Sequence, residues 1–181
     1  MLESIPNKGQ VPEGGGSRDL EALLTALDKT ALVSATDAHG NIYYANDKFI
    51  EVSKYNLEEL IGQNHRILKS GFHPPEFYKE LWNTIAHGKI WRGEIKNRAK
   101  DNSFYWVNAT IVPIMGPDNK PERYVSVRIL ITEQKISDEQ LLKKNQELEK
   151  MNKLMIGREL VMAELKKKIK ALEQELRGKE S

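Results

Sequence analysis

The sequence predicts an α+β domain, an antiparallel sheet covered by helices on one face, followed by a C-terminal coiled-coil helix. Three observations lead there. Strand patterns cluster at both ends of residues 31–131, with short helix-leaning segments between them. Residues 91–100 alternate strictly between two faces. From Leu141 to Leu176 an apolar residue recurs at every seventh position.

Composition narrows the function before any element is placed. The 181 residues allow one domain of about 100–150 residues and an appendage. Twenty-eight Lys and Arg against 26 Asp and Glu leave a net charge of +2, which argues against an electrostatic nucleic-acid binder. No apolar run approaches the ~18 residues of a membrane helix, and no secretory signal pattern opens the chain, so a soluble, cytoplasmic protein is expected. With no cysteine, disulfides and Cys-ligated zinc are excluded.

The elements follow in order. Residues 1–18, ending VPEGGGSR, read as a disordered lead. Over residues 19–29, Leu20, Leu23, Leu24 and Leu27 form one stripe of a short amphipathic helix. The main domain is expected over 30–134. It opens with two strand runs, ALVSATD and NIYYA, joined by the turn Asp37-Ala38-His39-Gly40. Short helical segments are expected around DKFIEVS and NLEELIG. The chain breaks at Gly71–Pro75, and a helix begins at the prolines, with Phe77, Leu81, Trp82 and Ile85 on its buried stripe and Gly88 at its stop.

Three strands come next. In the first, Trp91, Gly93, Ile95, Asn97 and Ala99 share one face, and Asp101-Asn102 makes a tight turn into the second. There Tyr105, Val107, Ala109, Ile111 and Pro113 alternate with Phe104, Trp106 and Asn108, which places Trp106 on the outer face. The last strand is ambiguous. Val125, Val127, Ile129 and Ile131 form one row, Tyr124, Ser126, Arg128 and Leu130 the other, and hydrophobicity alone would bury the first row.

Residues 135–181 hold 12 basic and 9 acidic groups, with no aromatic, proline or histidine. Leu141, Leu148, Met155, Met162, Ile169 and Leu176 repeat every seven residues, supported by Met151, Leu165 and Leu172, while Lys144 and Arg158 interrupt. A seven-residue repeat drifts around a straight helix and is satisfied by a partner in a left-handed supercoil. A homodimer through residues 141–176 is therefore expected. Gly157 in mid-helix costs about 1 kcal/mol relative to Ala.

The strings ATDAHGNIYYANDKF, EELIGQNHRILKSG, PEFYKELWNTIAHGKIWRGEIKNRAKDNSFYWVNATIVPI and YVSVRILITEQK, in this order, resemble a PAS sensory domain over about residues 31–135. The resemblance implies a PAS fold with a five-stranded antiparallel sheet. Within that family, WRGEIKNR, the adjacent YWV and YVSVR resemble the FAD-binding redox sensors of aerotaxis and nitrogen-fixation regulation. The tail resembles connectors to histidine kinases, which implies a kinase or similar output domain as partner. The tail's lack of histidine means that it offers no phospho-acceptor of its own.

Gly62-Gln63-Asn64-His65-Arg66 resembles the flavin motif of blue-light (LOV) domains, with His65 in place of the adduct-forming Cys. Without cysteine that adduct cannot form. Val107 and Arg128 also replace LOV amides, while Asn64 and Asn97 match. FAD, or FMN, is thus the implied cofactor, with Asn64, His65, Trp82, Trp91, Asn97 and Arg128 as its binding residues.

The residues carry bland readings beside these. Asn97 is the one polar group on an apolar strand face and needs a partner, either a flavin edge or nearby backbone. The resemblance turns Arg128 inward, where it would stabilise an anionic flavin; otherwise it is a solvated or ion-paired arginine. The tryptophans suit an aromatic-lined pocket or a plain core. PAS domains commonly end in Asp-Ile-Thr, here Leu130-Ile131-Thr132, which implies an apolar coupling of sheet to helix. No histidine pair has zinc-ligand spacing, no phosphate loop is present, and neither a metal site nor an enzyme is expected. The competing readings are a cofactor-free dimerisation module and a haem or small-ligand sensor using His73 or His65.

Overall fold

A computed structural model describes residues 16–179 of the chain, with side chains over 17–171. Most of the lead expected over residues 1–18 lies outside the described residues. The chain divides into two units at Thr132/Glu133.

The first unit begins with α1 (Gly16–Thr30), which packs on β1 (Leu32–Asp37) and on α2 (Asp47–Ser53). Its start precedes the expected Asp19 by three residues. Only the C-terminal end of its apolar stripe is covered: Leu27 is half-buried, while Leu20, Leu23 and Leu24 are exposed. The junction of these elements is held by Asn46, whose amide has four partners. Its Oδ1 accepts from the backbone N–H of Val33 (2.9 Å) and of Phe49 (3.0 Å). Its Nδ2 donates to the Ala31 carbonyl (2.9 Å) and to Asp28 (3.2 Å). A buried amide is tolerated because it is satisfied.

β1 turns into β2 (Ile42–Ala45) through the expected Gly-containing turn. Asp37 Oδ1 accepts from the backbone N–H of His39 (2.9 Å) and Asn41 (2.8 Å). Gly40 adopts φ +83°, a left-handed conformation that side chains disfavour. After α2 come the one-turn α3 (Leu57–Leu60) and an unanticipated 3₁₀ turn, His65–Leu68, capped by Asn64.

α4 (Pro75–Ala86) starts at the prolines as expected and buries Leu81 and Ile85 against the sheet. Each such burial contributes roughly 1.5–3 kcal/mol. β3 (Trp91–Arg98) and β4 (Phe104–Met115) form the next hairpin. Its loop is wider than a two-residue turn. Ala99 N–H bonds the Ser103 carbonyl, and Asn102 takes φ 67° within it. β5 (Pro121–Leu130) completes a five-stranded antiparallel sheet in the order β2-β1-β5-β4-β3.

The sheet's inner face carries the core, with Leu32, Ile42, Phe49, Val107 and Ile85 almost fully buried. Tyr124, Ser126 and Arg128 point inward, and Val125, Val127 and Ile129 form the outer row. The hydrophobic row is thus not the core row, as the resemblance implied and hydropathy alone did not.

The sheet-to-helix junction differs from the apolar coupling expected there. Trp106 N–H donates to Thr132 Oγ1 (2.8 Å), and Ile131 N–H donates to the Trp106 carbonyl (2.9 Å). The hydroxyl of Thr132 supplies a polar clamp onto β4 in place of an acidic side chain.

The second unit is one continuous helix. α5 runs from Thr132 to Lys179, three residues earlier than expected. The repeat residues Leu141, Leu148, Met155, Met162 and Ile169 are all exposed, at 54–59 %. Among the described residues no helix is long and apolar enough to cross a membrane.

Candidate functional site

A cavity of about 460 Å³ opens on the inner face of the sheet. β1, β3, β4 and β5 form its floor, α4 one wall, and the β1–β2 turn with the 3₁₀ turn the other. Five of the six residues singled out from sequence line it: Asn64, His65, Trp82, Asn97 and Arg128. Trp91 does not.

Trp91 is 4 % exposed and serves the packing of α4. Its Nε1 donates to Glu80 Oε2 (2.8 Å), and its ring meets Phe77 edge-on. The ring also folds over Gly93, where a Cβ would lie 2.6 Å from Cη2. This explains the glycine on an inward strand position.

Trp82 closes the cavity from the helix side. Its ring meets Tyr124 edge-on and lies against Gly40, whose added Cβ would sit 2.8 Å from Cη2. Asn64 ties the 3₁₀ turn to the β1–β2 turn. Its Nδ2 donates to the His39 carbonyl (2.8 Å), and its Oδ1 accepts from Arg66 Nε (2.8 Å). The amide that matches the flavin motif is therefore already spent on local structure.

Asn97 is 5 % exposed and stands opposite Tyr105 across the β3–β4 ladder. Its side chain lies near enough to act on the Tyr105 phenol, but the buried Tyr105 hydroxyl has no hydrogen bond of good geometry. Burial pushes that phenol up to about 12. The segment before α4 straps the free edge of β3 beside Asn97. Ser70 Oγ donates to the Lys96 carbonyl, Lys96 N–H donates to His73 Nε2 (2.9 Å), and Lys69 bridges to Asn97.

Arg128 is 3 % exposed. Its Nη1 donates to Ser34 Oγ (2.9 Å) and its Nη2 to His65 Nε2 (2.8 Å). Burial lowers the guanidinium to about 10, so it stays protonated at neutral pH. His65 lines the cavity, yet its ring is withdrawn from bulk water. That burial, and then the Arg128 charge, hold it well below the usual imidazole range. Arg128 Nε and Ser126 Oγ are buried without partners.

Sequence reasoning did not single out Ser34, Ser126, Tyr78 or Lys69, which also line the cavity. Ser126 was findable, being two residues from Arg128 on the same strand face. Ser34 sits within an apolar run and gave no signal. Lys69 places its ammonium 3.9 Å from the centre of the Tyr78 ring, a contact no spacing rule reveals. Among the described residues no group of three His, Asp or Glu side chains is placed to hold a metal.

An antiparallel sheet that grips a cavity with short helices on one face is the architecture of a small sensory domain. Residues 29–133, more than half the chain, match the family model of the PAS domain, and the chain belongs to that family. It is 38% identical over 110 residues to the aerotaxis receptor of Escherichia coli (strain K12), covering 61% of this chain and 22% of that protein. It is 38% identical over 96 residues to the nitrogen fixation regulatory protein of Klebsiella pneumoniae, covering 53% and 19%. The chain thus spans about a fifth of the length of these relatives.

Among solved structures, an RNA-binding light-oxygen-voltage receptor superposes with a TM-score of 0.61 at 22% identity, covering 80% of this chain and 41% of that one. The LOV domain of the blue-light activated histidine kinase EL346 from Erythrobacter litoralis gives 0.51 at 19% identity, covering 56% and 95%. At these identities the likeness is one of fold. The chain thus holds a PAS domain, similar in sequence to the aerotaxis and nitrogen-fixation proteins and in fold to the LOV structures.

Proposed function

We propose that this domain is a redox-responsive flavin sensor that signals through a dimeric coiled coil. The observation that carries the reading is the cavity itself. Its lining includes Asn97, Ser126 and Arg128, with Ser126 Oγ and Arg128 Nε unspent beneath it, and Trp82 forms a flat aromatic wall. A flavin ring has apolar faces and a polar rim, so it fits such a lining. The similarity to the aerotaxis and nitrogen-fixation proteins supports FAD, with FMN the close variant. Arg66 and Lys69, both exposed at the same cavity, suit a phosphate-bearing tail.

A bound flavin supplies electron transfer; the chain binds it, orients it and excludes water. Asn97 and Arg128 would hold its polar rim, while His65 and Ser34 fix Arg128 and Asn64 fixes the turn that carries His65. Trp91 acts at one remove, by seating α4. A change at Arg128 or Asn97 passes along β5 and β4 to the Thr132 clamp, and then to α5. The protein is read as a cytoplasmic homodimer through residues 141–176, with a histidine kinase or similar domain as its output.

Two other readings meet specific observations. Exposed Ile129 and Val112 on the outer strand face favour an interaction module that needs no cofactor. For haem, His65 Nε2 is engaged by Arg128 and His73 Nε2 by the Lys96 N–H, so both candidate ligand atoms are occupied.

An absorption spectrum of the purified protein, before and after adding FAD, tests the proposal. Flavin bands that survive gel filtration are expected, with Asn97→Ala weakening FAD binding about tenfold through loss of hydrogen bonds. A colourless protein that retains no added flavin would sink the reading, and a Soret band would replace it with haem.

A further inference from the structure

The charges around the cavity are one-sided. Its lining contains Arg66, Lys69 and Arg128 and no Asp or Glu. Each of these cations has found a neutral partner. Arg66 bonds the Asn64 amide oxygen, Lys69 sits on the Tyr78 ring, and Arg128 bonds a serine hydroxyl and an imidazole acceptor. Arg128 is the extreme case, 3 % exposed with Nε unpartnered. A buried guanidinium without a counter-charge is destabilising, and proteins pair such groups when they can. On the same strand face, two residues away, the buried Ser126 hydroxyl also lacks a partner.

We propose that the cavity is an anion-selective pocket, whose ligand presents a negatively charged oxygen or nitrogen to the Arg128 guanidinium on the side of Ser126. The inference rests on the cavity being the ligand site, and deepens that reading by naming the ionic state that is bound. Shape alone then does not decide what enters. A neutral molecule of the right size leaves the guanidinium uncompensated, whereas an anion of the same size neutralises it in a low-dielectric setting where one charge-assisted bond counts for more than in water. The Ser34 and His65 bonds use two of the five guanidinium N–H donors, which leaves three for a ligand.

A shape-matched pair of probes tests this on the full chain. 2-Naphthoate and 2-naphthamide share a flat bicyclic ring and differ by one charge. Binding is followed by tryptophan fluorescence, since Trp82 lines the cavity, or by displacement if the protein purifies with a flavin in place. Naphthoate is expected to bind about tenfold tighter than naphthamide. Arg128→Gln is expected to abolish the preference and Arg128→Lys to keep part of it.

Equal affinities, displacement at equal concentrations, or no response to either probe would overturn the proposal. Should Arg128→Gln fail to fold by circular dichroism, the wild-type pair alone decides. Protein that refuses FAD but prefers naphthoate keeps this inference and loses the flavin reading. Protein that takes FAD but is indifferent between the probes does the reverse.

Discussion

Arg128 and His65, 63 positions apart in sequence, meet at 2.8 Å between Nη2 and Nε2. A guanidinium only donates, so His65 accepts at Nε2 and its proton lies on Nδ1. The contact joins the last strand to the 3₁₀ turn and fixes the protonation state of a histidine inside the domain.

That contact makes stability depend on pH with a definite sign. Burial first, and the Arg128 charge second, depress the His65 pKa, so its folded value lies below the ~6.5 of an unfolded chain. The unfolded state therefore takes up the proton first as pH falls. The stabilisation is complete above ~6.5 and is lost below it, by at most about 1.4 kcal/mol per pH unit for one group. Urea unfolding at pH 7.5, 6 and 5 should show the decline. His73, lowered more modestly by burial, adds to it with the same sign. His65→Gln should remove the larger share and leave the His73 share.

Gly40 and Gly62 form a matched pair for measuring the Trp82 contact. Both have positive φ, +83° and +80°, but a Cβ on Gly62 meets open space and one on Gly40 meets the Trp82 ring. Gly62→Ala should cost about 1–2 kcal/mol of left-handed strain. Gly40→Ala should cost about 1–3 kcal/mol more from overpacking. Equal losses in urea unfolding would mean that the ring yields freely and does not close the cavity firmly.

The Thr132 clamp has its own readout. Thr132→Val removes the acceptor for the Trp106 amide, a loss of about 1 kcal/mol, so that amide should exchange with deuterium roughly fivefold faster. Thr132→Ser keeps the acceptor and should restore protection. Unchanged exchange in the valine variant would show that the bond does not hold the junction.

The heptad stripe is tested by charge. Leu148 and Met162 are exposed in the single chain and occupy equivalent repeat positions. In a homodimer each substitution is counted twice, at roughly 1.5–3 kcal/mol per buried side chain. Leu148→Lys with Met162→Lys should therefore weaken association at least ~100-fold. Sedimentation velocity should then show a monomer at micromolar concentration, where the parent chain is expected to be a dimer. A parent chain that is itself monomeric would end the coiled-coil reading.

Much of the frame was legible in the sequence. The strict alternation of residues 91–99 put Asn97 on the inner face, and the Pro-Pro pair marked the start of α4. The phase of β5 was not legible from hydropathy. Its apolar row lies on a sheet face left open within this unit, while its inward row includes a serine and an arginine that line a cavity. A period-two pattern states that two faces differ, not which of them is the core. Asn46 was invisible for another reason. Its worth lies in bonds to Ala31 and Val33, 15 and 13 residues upstream, and no local spacing encodes them. Trp91 shows the converse. The residue type suggested an aromatic-lined pocket, but Glu80, Phe77 and Gly93 decided where the ring went.

The place of β5 in the sheet constrains how the cavity can communicate. Arg128 is registered against Leu32 on one side and Ala109 on the other, so two ladders hold the same strand. Sliding β5 by one residue would break both and turn Arg128 outward. Translation along the strand is thereby forbidden at low energy. What remains is torsion, a change of twist that both ladders can follow without losing register. An event at the Arg128 end of the cavity would leave the sheet as a rotation, the motion that the proposed pair of supercoiled helices would have to take up.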